Sequence, residues 1–85
     1  DKKAPLFFTQ DELEFLQDNT WQMADSFGLD SRIGRLTGKR AAGFYSWDLE
    51  CLQDVVEIAK KDVPIEQHQM IDGLLLKIKE AMLLT

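Results

Sequence analysis

The 85 residues contain one cysteine, Cys51, one histidine, His68, and two prolines, Pro5 and Pro64. A lone cysteine forms no internal disulfide, and small domains in oxidising compartments commonly depend on such bridges, so a cytoplasmic setting is expected. One histidine and one cysteine are too few for the ligand sets of structural zinc sites, and no metal or cofactor is expected. No nucleophile stands where a helix carrying His68 would bring it to the imidazole, so no catalytic residue is assigned and no enzyme is expected. No uninterrupted apolar run approaches the ~20 residues that span a bilayer, which removes a membrane from the expected partners. A basic start followed by an apolar stretch and a cleavage site is also missing, although Asp1 is not an initiator and processing could have removed one. Cations are the minority charge, 10 against 15 acids for a net −5. That balance argues against nucleic acid, whose phosphates are bound by clustered Lys and Arg.

What the chain does have is apolar residues, 45% of the total, recurring at helical spacing in three stretches. The length suits one hydrophobic core, so residues 1–85 are expected to form a single domain, with residues 1–8 a tail packed on it. Thr9-Gln10-Asp11-Glu12 reads as a capping box, with Phe8 and Leu13 as the hydrophobic staple around it. From there a first helix is expected over about 10–27, burying Leu13, Leu16, Thr20, Met23, Ala24 and Phe27. Gly28 would end it in the left-handed conformation, with Leu29 folding back. Phe15 and Trp21 fall off that stripe; the apolar tail is expected to cover one and the following loop the other. A second helix is expected over about 47–62, capped by Ser46 and stopped before Pro64. Leu49, Leu52, Val55, Val56 and Ala59 make its main stripe, and Trp47, Cys51 and Ile58 a second one beside it. An apolar arc that wide marks the central element of the fold. A third helix is expected over about 64–84, with Ile71, Leu74, Leu75, Ile78, Ala81 and Met82 on its seam and Leu76 and Leu83 well off it. The short connection makes the last two helices an antiparallel hairpin. The fold class is therefore an all-α three-helix bundle.

Between the first two helices, residues 28–46 show neither helical nor alternating period and hold three of the five glycines, Gly34, Gly38 and Gly43. Ile33, Leu36, Phe44 and Tyr45 argue for an ordered loop pinned to the core. Residues 31–47 carry Arg32, Arg35, Lys39 and Arg40 and no acid. That local +4 inside a total of −5 leaves −9 for the remainder, the strongest charge asymmetry in the chain. The four cations are candidates to bind an anionic or phosphorylated ligand beside the start of the second helix. The competing reading lays them over the acidic faces of helices near Asp18, Asp25, Glu50 or Asp54 as ordinary ion pairs. Gly34-Arg35-Leu36-Thr37-Gly38-Lys39-Arg40 has one residue too few between its glycines for a phosphate-binding loop and lacks the Ser or Thr after the lysine. Phe44, Tyr45 and Trp47 are expected to anchor the loop to the core in preference to stacking on bases.

Gly28-Leu29-Asp30-Ser31 resembles the Gly-x-Asp-Ser at which acyl carrier proteins, also small acidic helical domains, carry phosphopantetheine. The resemblance covers four residues and implies Ser31 as an attachment site. The chain departs from the family in placing a basic, glycine-broken segment after the serine, where the family has an acidic amphipathic helix. His68 and Asp72, one helical turn apart, are expected to form a surface pair, and Cys51 to pack as a small buried hydrophobe.

The surplus of apolar faces carries the functional expectation. Leu76, Leu83, Trp47 and Ile58 exceed what a three-helix monomer covers, which points to a non-catalytic protein-interaction module, self-associating as a homodimer or holding a protein partner.

Overall fold

The computed structural model of the chain describes residues 2–23 and 28–85. The chain is mostly helical. In order, the elements are β1 (Ala4–Leu6), α1 (Gln10–Asp18), a 3-10 turn (Thr20–Met23), α2 (Leu29–Gly34), β2 (Ala42–Phe44), α3 (Ser46–Lys60), a second 3-10 turn (Ile65–Gln67) and α4 (His68–Met82). Four α-helices among the described residues replace the expected three, and two short strands replace featureless tail and loop.

The capping box at the start of α1 forms as the sequence dictates. The Thr9 amide donates to Glu12 Oε1 at 2.8 Å, and the Glu12 amide donates to Thr9 Oγ1 at 3.2 Å. The helix stops far short of the expected Phe27, at Asp18. Its last carbonyls are taken by side chains instead of by amides four residues on: Asn19 Nδ2 donates to the Phe15 carbonyl at 2.8 Å and the Thr20 hydroxyl to that of Gln17 at 3.2 Å. Polar side chains of this kind offer the backbone an alternative to the helix, and the chain tightens into the 3-10 turn. Leu13, Leu16 and Met23 are buried as expected and Thr20 is half-buried; Ala24, Asp25 and Phe27 lie outside the described residues. Gly28 is left-handed, with φ of 82°, and it opens α2.

The supposed loop 28–46 contains two elements. Leu29 and Ile33, one turn apart on α2, are completely buried, and half-buried Leu36 continues the same stripe. From α1, Gln17 Nε2 donates to the carbonyls of Ile33 and Leu36 at 3.2 and 3.1 Å, holding the end of α2 against the bundle. Further on, β2 pairs antiparallel with β1, Ala4 opposite Phe44, Pro5 opposite Gly43 and Leu6 opposite Ala42. Alternation places Ala4, Leu6 and Phe44 inward while Pro5 and Gly43 face out. Proline is tolerable here because a two-stranded sheet consists of edges only. The inner face is finished by Phe8, whose ring meets Phe44 edge-on at 5.9 Å.

Helices α3 and α4 form the expected antiparallel hairpin and supply the centre of the core, with Leu49, Leu52, Val56, Ile71, Leu74 and Ile78 all shielded from solvent. Two boundaries shift. Ser46 is the first helical residue of α3, not its cap, because the Asp48 carboxylate accepts the Tyr45 amide at 3.0 Å and moves the cap back one position. At the other end of the hairpin, Pro64 precedes a 3-10 turn and α4 proper begins at His68 and ends at Met82.

Among the described residues two carboxylates lie inside the fold, and both occupy the third position of a helix. Glu12, besides closing its capping box, accepts Lys77 Nζ of α4 at 2.7 Å, and the same ammonium reaches the Phe7 carbonyl at 3.1 Å. Asp48, with no exposed surface, accepts Arg32 of α2 at 2.6 Å. Each pair ties a helix start to an element distant in sequence, and each uses a site that the helix dipole already favours for negative charge.

Candidate interaction surfaces

The four cations of the basic segment are not brought together. Arg32 is committed to Asp48. Arg35 follows the last residue of α2 and is exposed. Arg32 and Arg35 border a shallow cavity of about 280 Å³ with Leu36, Ala42, Gly43 and Phe44. Lys39 and Arg40 are exposed and lie beyond that lining. Gly38, at φ of 78°, directs the turn before them, and a Cβ there would sit 3.5 Å from a Leu13 methyl, so the segment passes close over the start of α1. The one ion pair that any of the four makes among the described residues goes to Asp48, an acid that sequence reasoning did not single out. Ser31 is exposed in the first turn of the six-residue α2.

The residues of the expected protein interface are all exposed: Leu76 at 58%, Leu83 at 86%, Trp47 at 42% and Ile58 at 54%. They form two surfaces. At roughly 100° per residue, Leu76 and Leu83 project about 160–180° from buried Leu74, on the outward face of α4. Trp47 and Ile58 share one flank of α3 with half-buried Cys51. Lys60, on the other flank of α3, pairs with Asp72 of α4, so the Trp47–Ile58 flank faces away from α4. Trp47 stacks on Tyr45 with ring centres 4.6 Å apart, and Lys3 Nζ lies 5.1 Å from the Tyr45 ring centre. Of the three aromatic residues at the junction, Phe44 is therefore the core anchor, and the other two form a surface stack.

Asp72 bonds Lys60, not the expected His68, and His68 Nε2 is buried without a hydrogen-bond partner among the described residues. Among the described residues no group of three or more His, Cys, Asp and Glu side chains is placed to hold a metal ion, and no helix is long and apolar enough to cross a membrane.

One concave surface has no counterpart in the sequence reading. Two adjoining cavities of about 370 and 310 Å³ run between α1 and residues 62–70, sharing Phe15, Asp18 and Gln67. Of the two aromatic residues expected to be covered by the tail and the loop, Phe15 is buried and lines this surface, while Trp21 stands 75% exposed at one end of it. Periodicity along α1 could not find this groove, because its second wall comes from the 3-10 turn ahead of α4. No protein-family model matches the chain, and no curated protein or solved structure matches it either.

Proposed function

We propose that the chain is a non-catalytic protein-interaction module that pairs with a second copy of itself through the outward face of α4. The observation that carries this reading is the exposure of Leu76 and Leu83, two turns apart on that face. Large side chains held in water on a regular helix cost free energy, about 25 cal/mol per Å² of apolar surface, that association recovers.

The sequence of the face also suits a two-fold contact. Between Leu76 and Leu83 stand Lys79 and Glu80. In an antiparallel pairing of two α4 helices centred there, Leu76 of each copy meets Leu83 of the other, and Lys79 of each meets Glu80 of the other. Such reciprocity is what an isologous interface requires. Sedimentation velocity over a concentration series tests the proposal. A species of twice the 9.8 kDa chain mass should appear and should vanish in the Leu76→Lys/Leu83→Lys variant; a monomer at every concentration refutes the pairing.

A second reading, an anion-binding loop, is favoured by the cavity that Arg32 and Arg35 border. It is weakened by the engagement of Arg32 with Asp48. The anion reading requires a sulfate- or phosphate-dependent rise in melting temperature that is lost when Arg35, Lys39 and Arg40 become alanine.

A further inference from the structure

We infer that the groove between α1 and residues 62–70 docks a cationic amphipathic helix of a partner protein. Its apolar base is made by Phe15, Met70, Ala59 and Val63, and exposed Trp21 extends it at one end. Among the described residues, five carboxylates stand around that base, Asp11, Glu14, Asp18, Asp62 and Glu66, and no Lys or Arg lines either cavity. None of the five makes an ion pair with another described residue. A trough with a small apolar floor and walls of unpaired carboxylates fits a ligand with greasy residues flanked by Lys or Arg, and it disfavours anionic partners, anionic lipid surfaces included.

The spacing selects a helix over a single ion or an extended strand. Asp11, Glu14 and Asp18 lie three and four residues apart, one face of α1 with about 10 Å of rise. Cations at the same helical spacing on an adjacent helix meet them in register, while those on a strand, about 6.8 Å apart, drift out of step. The carboxylates are too dispersed to share one metal ion, since no three of the described ligand-type side chains converge. Met70 of α4 lies about 120–140° around the helix from Leu76 and Leu83 by the same helical count, so a docked helix leaves the proposed pairing face free. The two proposals stand or fall separately.

The test uses the full chain and a fluorescently labelled synthetic helix of about 18 residues built from Leu and Lys, with a Leu/Glu peptide as the opposite-charge control. Anisotropy should show saturable binding of the Lys peptide and none of the Glu peptide. Glu14→Gln/Asp18→Asn should weaken binding about tenfold or more, while removing two exposed acids of α3, by Glu50→Gln/Asp54→Asn, should change it less than about twofold. Trp21→Ala should also weaken it. All five substituted side chains are exposed, so circular dichroism is expected to report folded variants throughout. Equal losses from the two acidic pairs would reduce the effect to net charge and overturn the docking site, as would the absence of saturable binding. A different occupant would show itself if the protein alone associated through the groove, losing that association on both Glu14→Gln/Asp18→Asn and Arg35→Ala/Arg40→Ala. The groove would then belong to the basic segment of a second copy, and the partner-helix proposal would fall.

Discussion

Removing Arg32, a third exposed, should damage the fold more than removing the fully buried acid it bonds. Asp48 has no exposed surface, and it accepts Arg32 at 2.6 Å and the Tyr45 amide at 3.0 Å. In Asp48→Ala the chain loses the acceptor at the start of α3, about 1 kcal/mol. The guanidinium, 34% exposed, turns toward water, so its loss adds only about 1 kcal/mol after solvent screening. In Arg32→Ala the carboxylate stays buried with the Tyr45 amide as its remaining partner, and breaking a buried pair from one side costs about 3–5 kcal/mol. The truncated side chain admits some water beside Asp48, which favours the lower end, near 3 kcal/mol. Urea unfolding followed by far-UV circular dichroism, with both variants at the same low micromolar concentration so that any self-association weighs on them alike, should rank Arg32→Ala below Asp48→Ala by about 1 kcal/mol. The melting temperature of Arg32→Ala should fall by about 12–24 °C. Adding Asp48→Asn to Arg32→Ala keeps an acceptor for Tyr45 without the charge and should restore stability. An Arg32→Ala variant at least as stable as Asp48→Ala, or a double variant no better than Arg32→Ala alone, would refute the reasoning.

Three further outcomes follow from the same geometry. Gly73 is exposed in the middle of α4 and a Cβ there meets nothing within 4 Å, so Gly73→Ala should stabilise by about 0.5–1 kcal/mol in denaturant unfolding. Lys77→Ala strips the cation from Glu12, whose side chain is 5% exposed, and should cost about 2 kcal/mol in the same assay, since the Thr9 amide and the helix start still stabilise the carboxylate. Ser31, followed by Arg32 on a six-residue helix and by Arg35 just past its end, should gain no mass on incubation with a phosphopantetheinyl transferase and coenzyme A, read by intact mass spectrometry; a modified chain would restore the carrier resemblance.

What could be read in advance divides along physical lines. The α3–α4 hairpin was legible because its apolar residues keep helical spacing over four turns each and Pro64 marks the break between them. The start of α1 was legible because a capping box is local chemistry, complete within four residues. The end of α1 was missed because Met23 continues the periodicity past Asp18, while the signal that stops the helix is the pair Asn19-Thr20 bonding back to the Phe15 and Gln17 carbonyls. Helix α2 was hidden by its length, six residues ending in glycine, although Leu29, Ile33 and Leu36 do carry the period. The β1–β2 pair was out of reach for a different reason: its register joins Ala4 to Phe44, and neither three-residue segment shows an alternation long enough to read alone. On the surface, the exposure of Leu76 and Leu83 followed from their position opposite the seam. The fate of the cations did not, because the acid that holds Arg32 is buried at a helix start rather than displayed on a helix face.

The pairing of two chains through α4 is tested most directly by the amide resonances of the isotope-labelled protein on dilution from about 1 mM to 20 µM. The proposed pairing predicts concentration-dependent shifts at Leu76, Lys79, Glu80 and Leu83, with Glu14 and Lys39 unmoved, and their disappearance in Leu76→Lys/Leu83→Lys. Resonances of α4 that stay fixed across that range, or shifts centred on the basic segment instead, would contradict it.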